Sequence, residues 1–203
     1  MPLLSVPAPL MVTFNDNSTG GTISNWFWDF GDFSTTNVTT NSIVHTYAAG
    51  TYGVMLVVTG PGGVSTNTKA SYITAWTPFQ AWQVLYFGDI NNPLAASGVD
   101  PDGDGMNNLQ EFLTGTDPTN SASALRITSI AKQGTNVVVT WMTGVGKTNA
   151  LQVTSGGSGG SYATNGFADL FTVTNTVGTV TNGTDVGGAT SSATRYYRVR
   201  LVP

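Results

Sequence analysis

The sequence predicts a mainly β protein with two β-sandwich domains that are joined by a short helical segment. Three observations support this fold class. Stretches rich in Val, Ile, Thr and aromatic residues, which favour extended strands, occur in residues 1–75 and again in residues 124–203. Clusters of Gly, Pro, Asn and Ser interrupt these stretches at the short intervals expected of sandwiches. Residues 76–123 instead place apolar residues at helical spacing.

The amino-acid composition argues against some classes of binding partner. The chain has 203 residues, of which 9% are charged, and its net charge is -4. We expect no nucleic-acid partner, because phosphate contacts need clustered Lys and Arg and no such patch is apparent. No apolar run approaches the roughly 18 residues of a membrane span. The absence of Cys excludes disulfides and thiolate metal sites.

Residues 1–75 carry the motifs of a known family. The strings FNDNSTG, WDFGD, HTY and GTY begin at Phe14, Trp28, His45 and Gly50. In their order and spacing they resemble a PKD domain over about residues 8–75. The resemblance implies an immunoglobulin-like sandwich that acts as a spacer or contact module in an extracellular or cell-surface protein. The family commonly has Gly where this chain has Phe33, so we expect the turn there to differ.

An apolar segment, PLLSVPAPL, precedes these motifs. Two placements are open. The segment either lies on its own sandwich or completes the sheet of a neighbouring molecule by strand addition.

The middle segment, residues 76–123, begins with a predicted helix. Thr77 is a suitable N-cap, Pro78 suits the first helical position, and Gly88 ends the helix. A further helical turn is predicted over residues 92–96. A second helix, which ends at Gly115, is expected to present one apolar face made of Leu109, Phe112 and Leu113.

Between these helices lies the pattern Asp-x-Asp-x-Asp-Gly-x5-Glu, which fits an EF-hand calcium loop at each charged position. Ca²⁺ takes six to eight oxygen ligands, and acids at alternate positions converge on one point where Gly105 lets the chain turn sharply. The carbonyl of Met106 would be a ligand, as would Asn108 directly or through water. The predicted ligands are Asp100, Asp102, Asp104, Met106, Asn108 and Glu111.

Charge repulsion favours a bound cation over a solvated acidic turn. Two carboxylates about 5 Å apart repel by about 1 kcal/mol in water and by about 3 kcal/mol at an effective dielectric of 20. Ca²⁺ is expected rather than Mg²⁺, which keeps more of its water. Asp117, and the PKD-like turn with Asp32 or Asp16, are left open as further metal ligands.

The chain holds one loop of this kind, whereas calcium sensors pair two such loops. Together with GTDPTNSAS at residues 115–123, the loop resembles the single loops of dockerin or thrombospondin-type-3 segments in secreted bacterial proteins. A lone loop is expected to stiffen the joint between two sandwiches.

Residues 124–203 are predicted to form the second sandwich. The strings VVVTW and YYRVRLV resemble fibronectin-type-III-like modules of bacterial secreted proteins. The predicted domains are therefore a PKD-like sandwich at 1–75, a helical calcium-binding linker at 76–123 and a fibronectin-III-like sandwich at 124–203.

Catalysis is not expected. The single histidine, His45, lies in the HTY motif and is assigned a structural role, which leaves no Ser-His-Asp set. Asp29 and Asp32 flank a PKD-like turn, where bonding to the backbone is expected rather than glycosidase chemistry. GGSGG at residues 156–160 lacks the Lys of a phosphate loop. Core packing is the expected role of most of the five Trp residues.

Two functions remain. In the first, the chain is a non-catalytic, calcium-rigidified structural or adhesive protein of the cell surface, which binds copies of itself or other surface proteins and can form a layer or fibre. In the second, it is the polysaccharide-binding accessory region of a secreted hydrolase. Aromatic residues in a row on one exposed sheet face would favour the second.

Overall fold

A computed structural model describes residues 3–19, 21–156, 160–174, 178–190 and 194–202. The chain divides into two compact units, Met1–Gly88 and Asp89–Pro203. In the described residues, neither unit contains a helix with the length and apolar character that a membrane crossing requires.

The first unit is a β-sandwich of two sheets. A five-stranded sheet has the order β1-β7-β6-β3-β4, and a two-stranded sheet pairs β2 with β5. The strands are β1 (Leu3–Pro7), β2 (Leu10–Asn15), β3 (Asn25–Asp29), β4 (Thr35–Val38), β5 (Ser42–Tyr47), β6 (Gly50–Gly60) and β7 (Gly63–Trp76).

Aromatic residues at alternate strand positions form the core of this unit. Trp26 and Trp28 both point inward from β3, because side chains two residues apart share one face of a strand. Phe14 packs against Trp28 with ring centroids 5.4 Å apart, and Tyr47 is completely buried. The expected core role of the tryptophans is thus confirmed for these two and for Trp141 of the second unit, while Trp76 and Trp82 are half-buried.

The apolar N-terminal segment lies on its own sandwich. β1 pairs in parallel with the end of β7, where Val6 lies opposite Ala75 and Pro7 opposite Trp76. Val6 also packs against the core of the unit. Of the two placements that the sequence left open, this is the first.

A helix, α1 (Pro78–Phe87), follows β7 within the first unit. Its bounds confirm the predicted signals. The Thr77 hydroxyl accepts a hydrogen bond from the backbone N–H of Gln80, and the Gln80 side chain accepts one from Thr77. Gly88 ends the helix in a left-handed conformation with φ 78°.

The second unit contains a short helical segment followed by two three-stranded sheets, with strand orders β11-β10-β13 and β12-β9-β8. A 3-10 turn at Pro93–Ala95 matches the predicted extra turn, and α2 spans Asn108–Thr114. The strands are β8 (Ile127–Gln133), β9 (Asn136–Met142), β10 (Thr148–Ser155), β11 (Ala168–Thr174), β12 (Val180–Asp185) and β13 (Arg195–Val202). The mainly β sandwich class predicted from the sequence is confirmed.

Val139, Trp141 and Leu151 are completely buried at the centre of this second sandwich. Each lies on a central strand of its sheet, β9 or β10. The calcium-loop pattern and α2 belong to the same compact unit as these strands, whereas α1 belongs to the first unit. The division into three domains at residues 75 and 123 remains a prediction.

The apolar face predicted for α2 is not the face of this helix that is buried. Leu109 and Leu113 are 43% and 46% exposed, while the fully buried side chains on this helix are Asn108 and Glu111. These two lie three residues apart and so share one face. The helix is turned so that this polar face points inward.

Candidate metal centre

The candidate site is the loop between the 3-10 turn and α2. Gly103 and Gly105 have φ of 76° and 96°, a backbone region that favours glycine. The Asp100 carboxylate accepts hydrogen bonds from the N–H groups of both glycines, at 2.8 and 2.9 Å. These bonds curl the loop around its first acidic residue.

The next two aspartates each use one oxygen to shape the loop. Asp102 Oδ1 accepts the N–H of Asp104 at 3.2 Å, and Asp104 Oδ1 accepts the N–H of Met106 at 2.8 Å. Their second oxygens are buried and accept no hydrogen bond from any described residue. A buried carboxylate oxygen without a donor is costly unless a cation or a proton compensates it.

The three aspartates converge. One carboxylate oxygen from each of Asp100, Asp102 and Asp104 lies within 4.8 Å of the others. Oxygens held at about 2.4 Å from a common ion cannot be more than about 4.8 Å apart. The spacing therefore fits one calcium-sized cation. Burial, together with the charges of Asp104 and Asp100, raises the pKa of the Asp102 carboxyl.

Glu111 of α2 lies near enough to feel the charges of the three aspartates, but it is not in the group whose oxygens all lie within 4.8 Å of one another. Its side chain has no exposed surface, and neither carboxylate oxygen accepts a hydrogen bond from a described residue. Burial and the charges of Asp102 and Asp104 raise the pKa of Glu111 to about 7. Two free oxygens on one buried carboxylate suit the bidentate role that this loop position has in calcium sites.

Asn108 closes the loop against the preceding 3-10 turn. Its amide nitrogen donates to the carbonyls of Leu94 and Ala96, at 2.7 and 2.8 Å. Its carbonyl oxygen Oδ1 is buried and accepts no hydrogen bond from the described residues, so it is available as a ligand. The clamp on residues 94 and 96 was not predicted from the sequence, because it joins segments far apart along the chain.

Met106 was predicted to contribute its main-chain carbonyl. The Met106 sulfur accepts the N–H of Leu125 at 3.2 Å. The residue thus connects the loop to the chain segment that leads into β8. That these six residues bind a metal ion remains a prediction.

A capping box that the sequence reasoning missed fixes the start of α2. Asn107 is the N-cap and accepts from the Gln110 N–H at 3.0 Å, while the Gln110 side chain accepts from the Asn107 N–H at 2.8 Å. An Asn followed three residues later by Gln is a readable signal for such a box.

The end of α2 is attached to the sheets of the second unit. The N–H of Gly144 donates to the carbonyl of Thr114 at 3.1 Å. A Cβ added at Gly144 would lie 2.1 Å from this same carbonyl, so only glycine fits. Lys147 Nζ donates to the Phe112 carbonyl at 3.4 Å, where a cation suits a helix C-terminus.

The other acidic residues considered from the sequence have donors within the protein. Asp16 accepts the Trp26 indole N–H at 2.7 Å and both the backbone N–H and the hydroxyl of Ser18. Asp117 accepts the N–H and hydroxyl of Thr119 at 3.0 and 2.7 Å. These hydrogen bonds are those of side chains that cap turns, which is the role that Asp16 and Asp117 have here.

His45 has the structural surroundings expected of it. Its ring stacks on Phe30 with centroids 3.9 Å apart, and Nε2 lies 2.7 Å from Asp32 Oδ2. Asp29 and Asp32 accept backbone N–H groups of Gly31 and Ser34. Of the GGSGG stretch, residues 157–159 lie outside the described residues.

Comparisons with known proteins identify the first unit. The family model of the PKD domain matches residues 5–75. The resemblance drawn from WDFGD, HTY and GTY is therefore confirmed for this segment, and a PKD domain is non-catalytic. The likenesses of the acidic loop to dockerin or thrombospondin-type-3 segments, and of the C-terminal strands to fibronectin type III, remain predictions.

Beyond the PKD domain the comparisons add little. No curated protein matches the chain. One solved structure concerns the promiscuous specificity of carbohydrate-binding modules from the β-sandwich superfamily. It aligns with 97% of this chain and 86% of its own, at 16% identity and a TM-score of 0.33. That score is too low to support a conclusion about this chain.

Proposed function

We propose that this chain is a non-catalytic, extracellular structural or adhesive protein that one Ca²⁺ ion rigidifies and that binds copies of itself or other surface proteins. The proposed calcium site is supported by buried side-chain oxygens that accept no hydrogen bond from the described residues. They belong to Asp102, Asp104, Asn108 and Glu111. All of these candidate ligands are oxygen atoms, and acidic residues outnumber basic ones around them. Such a site suits a hard divalent cation.

Calcium would act on the second unit of the chain. The loop is joined to this unit at three places: Met106 to Leu125, Thr114 to Gly144 and Phe112 to Lys147. An ion that pulls Glu111 toward the loop therefore holds residues 89–123 on the C-terminal strands. The free energy of ion binding becomes folding free energy, because the unfolded chain has no preformed site.

Calorimetric titration with Ca²⁺, and melting with and without EDTA, test this part. We expect heat of binding at one site per chain and a melting transition that falls on chelation. A chain that shows neither heat nor a change in melting would refute the calcium site. Sedimentation velocity in millimolar Ca²⁺ and in EDTA tests self-association, for which calcium-dependent polymers are the expected result.

Polysaccharide binding is the second candidate, and an aromatic cluster in the second unit favours it. Tyr162 is 47% exposed and packs against Tyr196 of β13, with centroids 4.4 Å apart and the rings tilted by 32°. The Arg198 guanidinium covers the Phe167 ring at 4.3 Å and donates to Gln152 at 2.6 Å. Aromatic rings beside fixed polar groups are suited to sugar rings and their hydroxyls.

Retention on insoluble cellulose and chitin tests this candidate. If sugar binding is the function, the wild-type monomer is retained and Tyr162→Ala is released. Leu85→Ala, which removes a 77% exposed side chain from the first unit, serves as the control and should bind like wild type. Equal elution of all three from both polymers would exclude this site as a binder of these polysaccharides.

A further inference from the structure

Charged residues are distributed unevenly along this chain. Residues 124–203 contain six Lys or Arg and two acidic residues, whereas residues 1–123 contain one Lys or Arg and nine acidic residues. The C-terminal strands are therefore basic within a protein that is acidic as a whole. A charge asymmetry of this kind favours an anionic partner for the basic part.

One of these cations, Arg198, has no ion pair of its own among the described residues. The two acidic residues of the region, Asp169 and Asp185, pair with Arg200 and Arg195. Asp169 also feels the charge of Arg198, but its carboxylate is already bound to Arg200. Two guanidinium groups therefore meet one carboxylate here, which leaves a net charge of +1.

Neighbouring groups hold the Arg198 guanidinium in a fixed orientation. Its Nε donates to Gln152 Oε1 at 2.6 Å, its Nη1 donates to the Thr164 carbonyl at 3.3 Å, and its plane lies over the Phe167 ring. Gln152 is itself buried and donates to Asp169. These contacts use Nε and Nη1, so the Nη2 end is left for an incoming acceptor. A planar, pre-oriented guanidinium is suited to a carboxylate.

Aromatic rings continue the same surface. Phe167 meets Tyr162 edge-on, with ring centroids 5.7 Å apart and an angle of 84°. Tyr196, which packs against Tyr162, alternates with core-facing residues along β13 and so shares one face with Arg198 and Arg200. The strand rises about 13 Å over these four steps. The face thus combines aromatic rings and guanidinium groups over the length of a short oligosaccharide.

We propose that this face of the second unit binds an acidic polysaccharide, with the carboxylate of a uronic-acid residue at Arg198 and an adjoining sugar ring on Tyr162. The carboxylate accepts hydrogen bonds from the guanidinium and supplies the counter-charge that Arg198 lacks. A neutral sugar supplies no such charge, so carboxylated chains are preferred. This inference rests on the polysaccharide binding considered above as the second candidate function, and it names the class of sugar.

Trigalacturonate and its methyl ester form a matched pair of probes, because they have the same sugar rings and differ in charge. Calorimetric titration of the full chain in millimolar Ca²⁺ measures both. We expect trigalacturonate to bind at least about tenfold more tightly than the ester, since hydrogen bonds to a charged group are the stronger ones. Added salt should reduce this preference, because it screens exposed charges.

Four full-length variants separate the charge from the ring. Arg198→Gln should bind trigalacturonate at least about tenfold more weakly and the ester as before. Arg198→Lys, which keeps the charge without the planar fork, should restore part of the loss. Tyr162→Ala should weaken both probes alike. Lys132→Gln removes an exposed cation from β8 in the other sheet and is the control, which should bind like wild type. Unchanged melting temperatures establish that the variants fold.

The outcomes distinguish this inference from the candidate function beneath it. Equal affinity of the wild-type chain for the two probes overturns the acidic class and leaves polysaccharide binding intact. Binding of neither probe, together with elution from cellulose and chitin, overturns both. A loss of trigalacturonate binding that is equal in Lys132→Gln and Arg198→Gln would show general attraction of polyanions and overturn the site. Self-association that Arg198→Gln abolishes would assign this face to the acidic residues of a second copy and also overturn it.

Discussion

The molecule contains two turns rich in aspartate, and they balance their charge in different ways. In the PKD domain, Asp29 accepts the N–H of Gly31 at 2.9 Å. Asp32 accepts a backbone N–H through one oxygen and meets His45 through the other. Burial opposes ionisation of Asp32, but hydrogen bonds from His45 and Ser34 outweigh it and lower the pKa of this carboxyl.

In the loop before α2, the same backbone bonds occur, but the second oxygens of Asp102 and Asp104 have no donor among the described residues. Asp102 and Asp104 shape the loop with one oxygen each, and the Glu111 carboxylate accepts no hydrogen bond from the described residues. The comparison teaches that hydrogen-bond satisfaction, rather than the number of acids, distinguishes a structural turn from a candidate cation site.

The largest expected effect on stability comes from removing the charge of Glu111, which belongs to the acidic loop and not to the PKD turn. Glu111→Gln should abolish the calcium-dependent rise in stability, which for wild type should be about 4 kcal/mol at a Ca²⁺ concentration one thousand times Kd. Differential scanning calorimetry with and without EDTA measures it. Asp117→Asn should retain the full calcium effect, and Asp104→Asn should repeat the loss if the first variant folds poorly. A full calcium response in both loop variants would contradict the site.

A matched pair of glycine substitutions compares the two turns directly. Gly31 and Gly103 both have φ of 76°, but a Cβ at Gly31 would lie 2.1 Å from the Gly53 carbonyl, while a Cβ at Gly103 meets open space. Gly31→Ala should therefore cost about 3 kcal/mol from clash and strain together, and Gly103→Ala about 1 kcal/mol from strain alone. Urea unfolding measures both, and equal costs would show that the close approach to Gly53 is unimportant.

The calcium-free protein should lose stability as the pH rises. The pKa of Glu111 is raised from 4.5 to about 7 in the folded chain, so the folded state binds its proton more tightly than the unfolded state does. The stabilisation is complete below about pH 4.5 and is lost by about pH 7, a change of roughly 3 kcal/mol. Melting in chelator across this range measures it. A melting temperature independent of pH, or one that rises with pH, would contradict the burial of this carboxylate.

The smallest effect on stability is expected at the PKD turn, whose carboxylates accept hydrogen bonds within the protein. Asp32→Asn removes the charged partner of His45 and should cost the first unit about 1 kcal/mol, because the pair is partly exposed to solvent. Calcium binding should not change. Calorimetric titration and melting of this variant check both statements, and a weakened calcium affinity would show that the PKD turn contributes to the cation site.

Local patterns were readable from the sequence, and long-range contacts were not. The PKD motifs, the α1 caps and the convergence of three aspartates all depend on short spacings and could be predicted. The rotation of α2 could not, because its polar inward face is set by Glu111 meeting the loop and by Asn108 reaching Leu94. The close approach of Gly144 to Thr114 likewise joins distant segments and leaves no local signal.

The unequal exposure of the acidic cluster has a kinetic consequence for an ion that binds there. Asp100 is exposed to solvent, whereas Glu111 is sealed inside. An arriving ion would meet Asp100 while still hydrated and would shed its last waters only at Glu111. Substitutions at the outer carboxylate should then slow capture, and substitutions at the inner one should hasten escape.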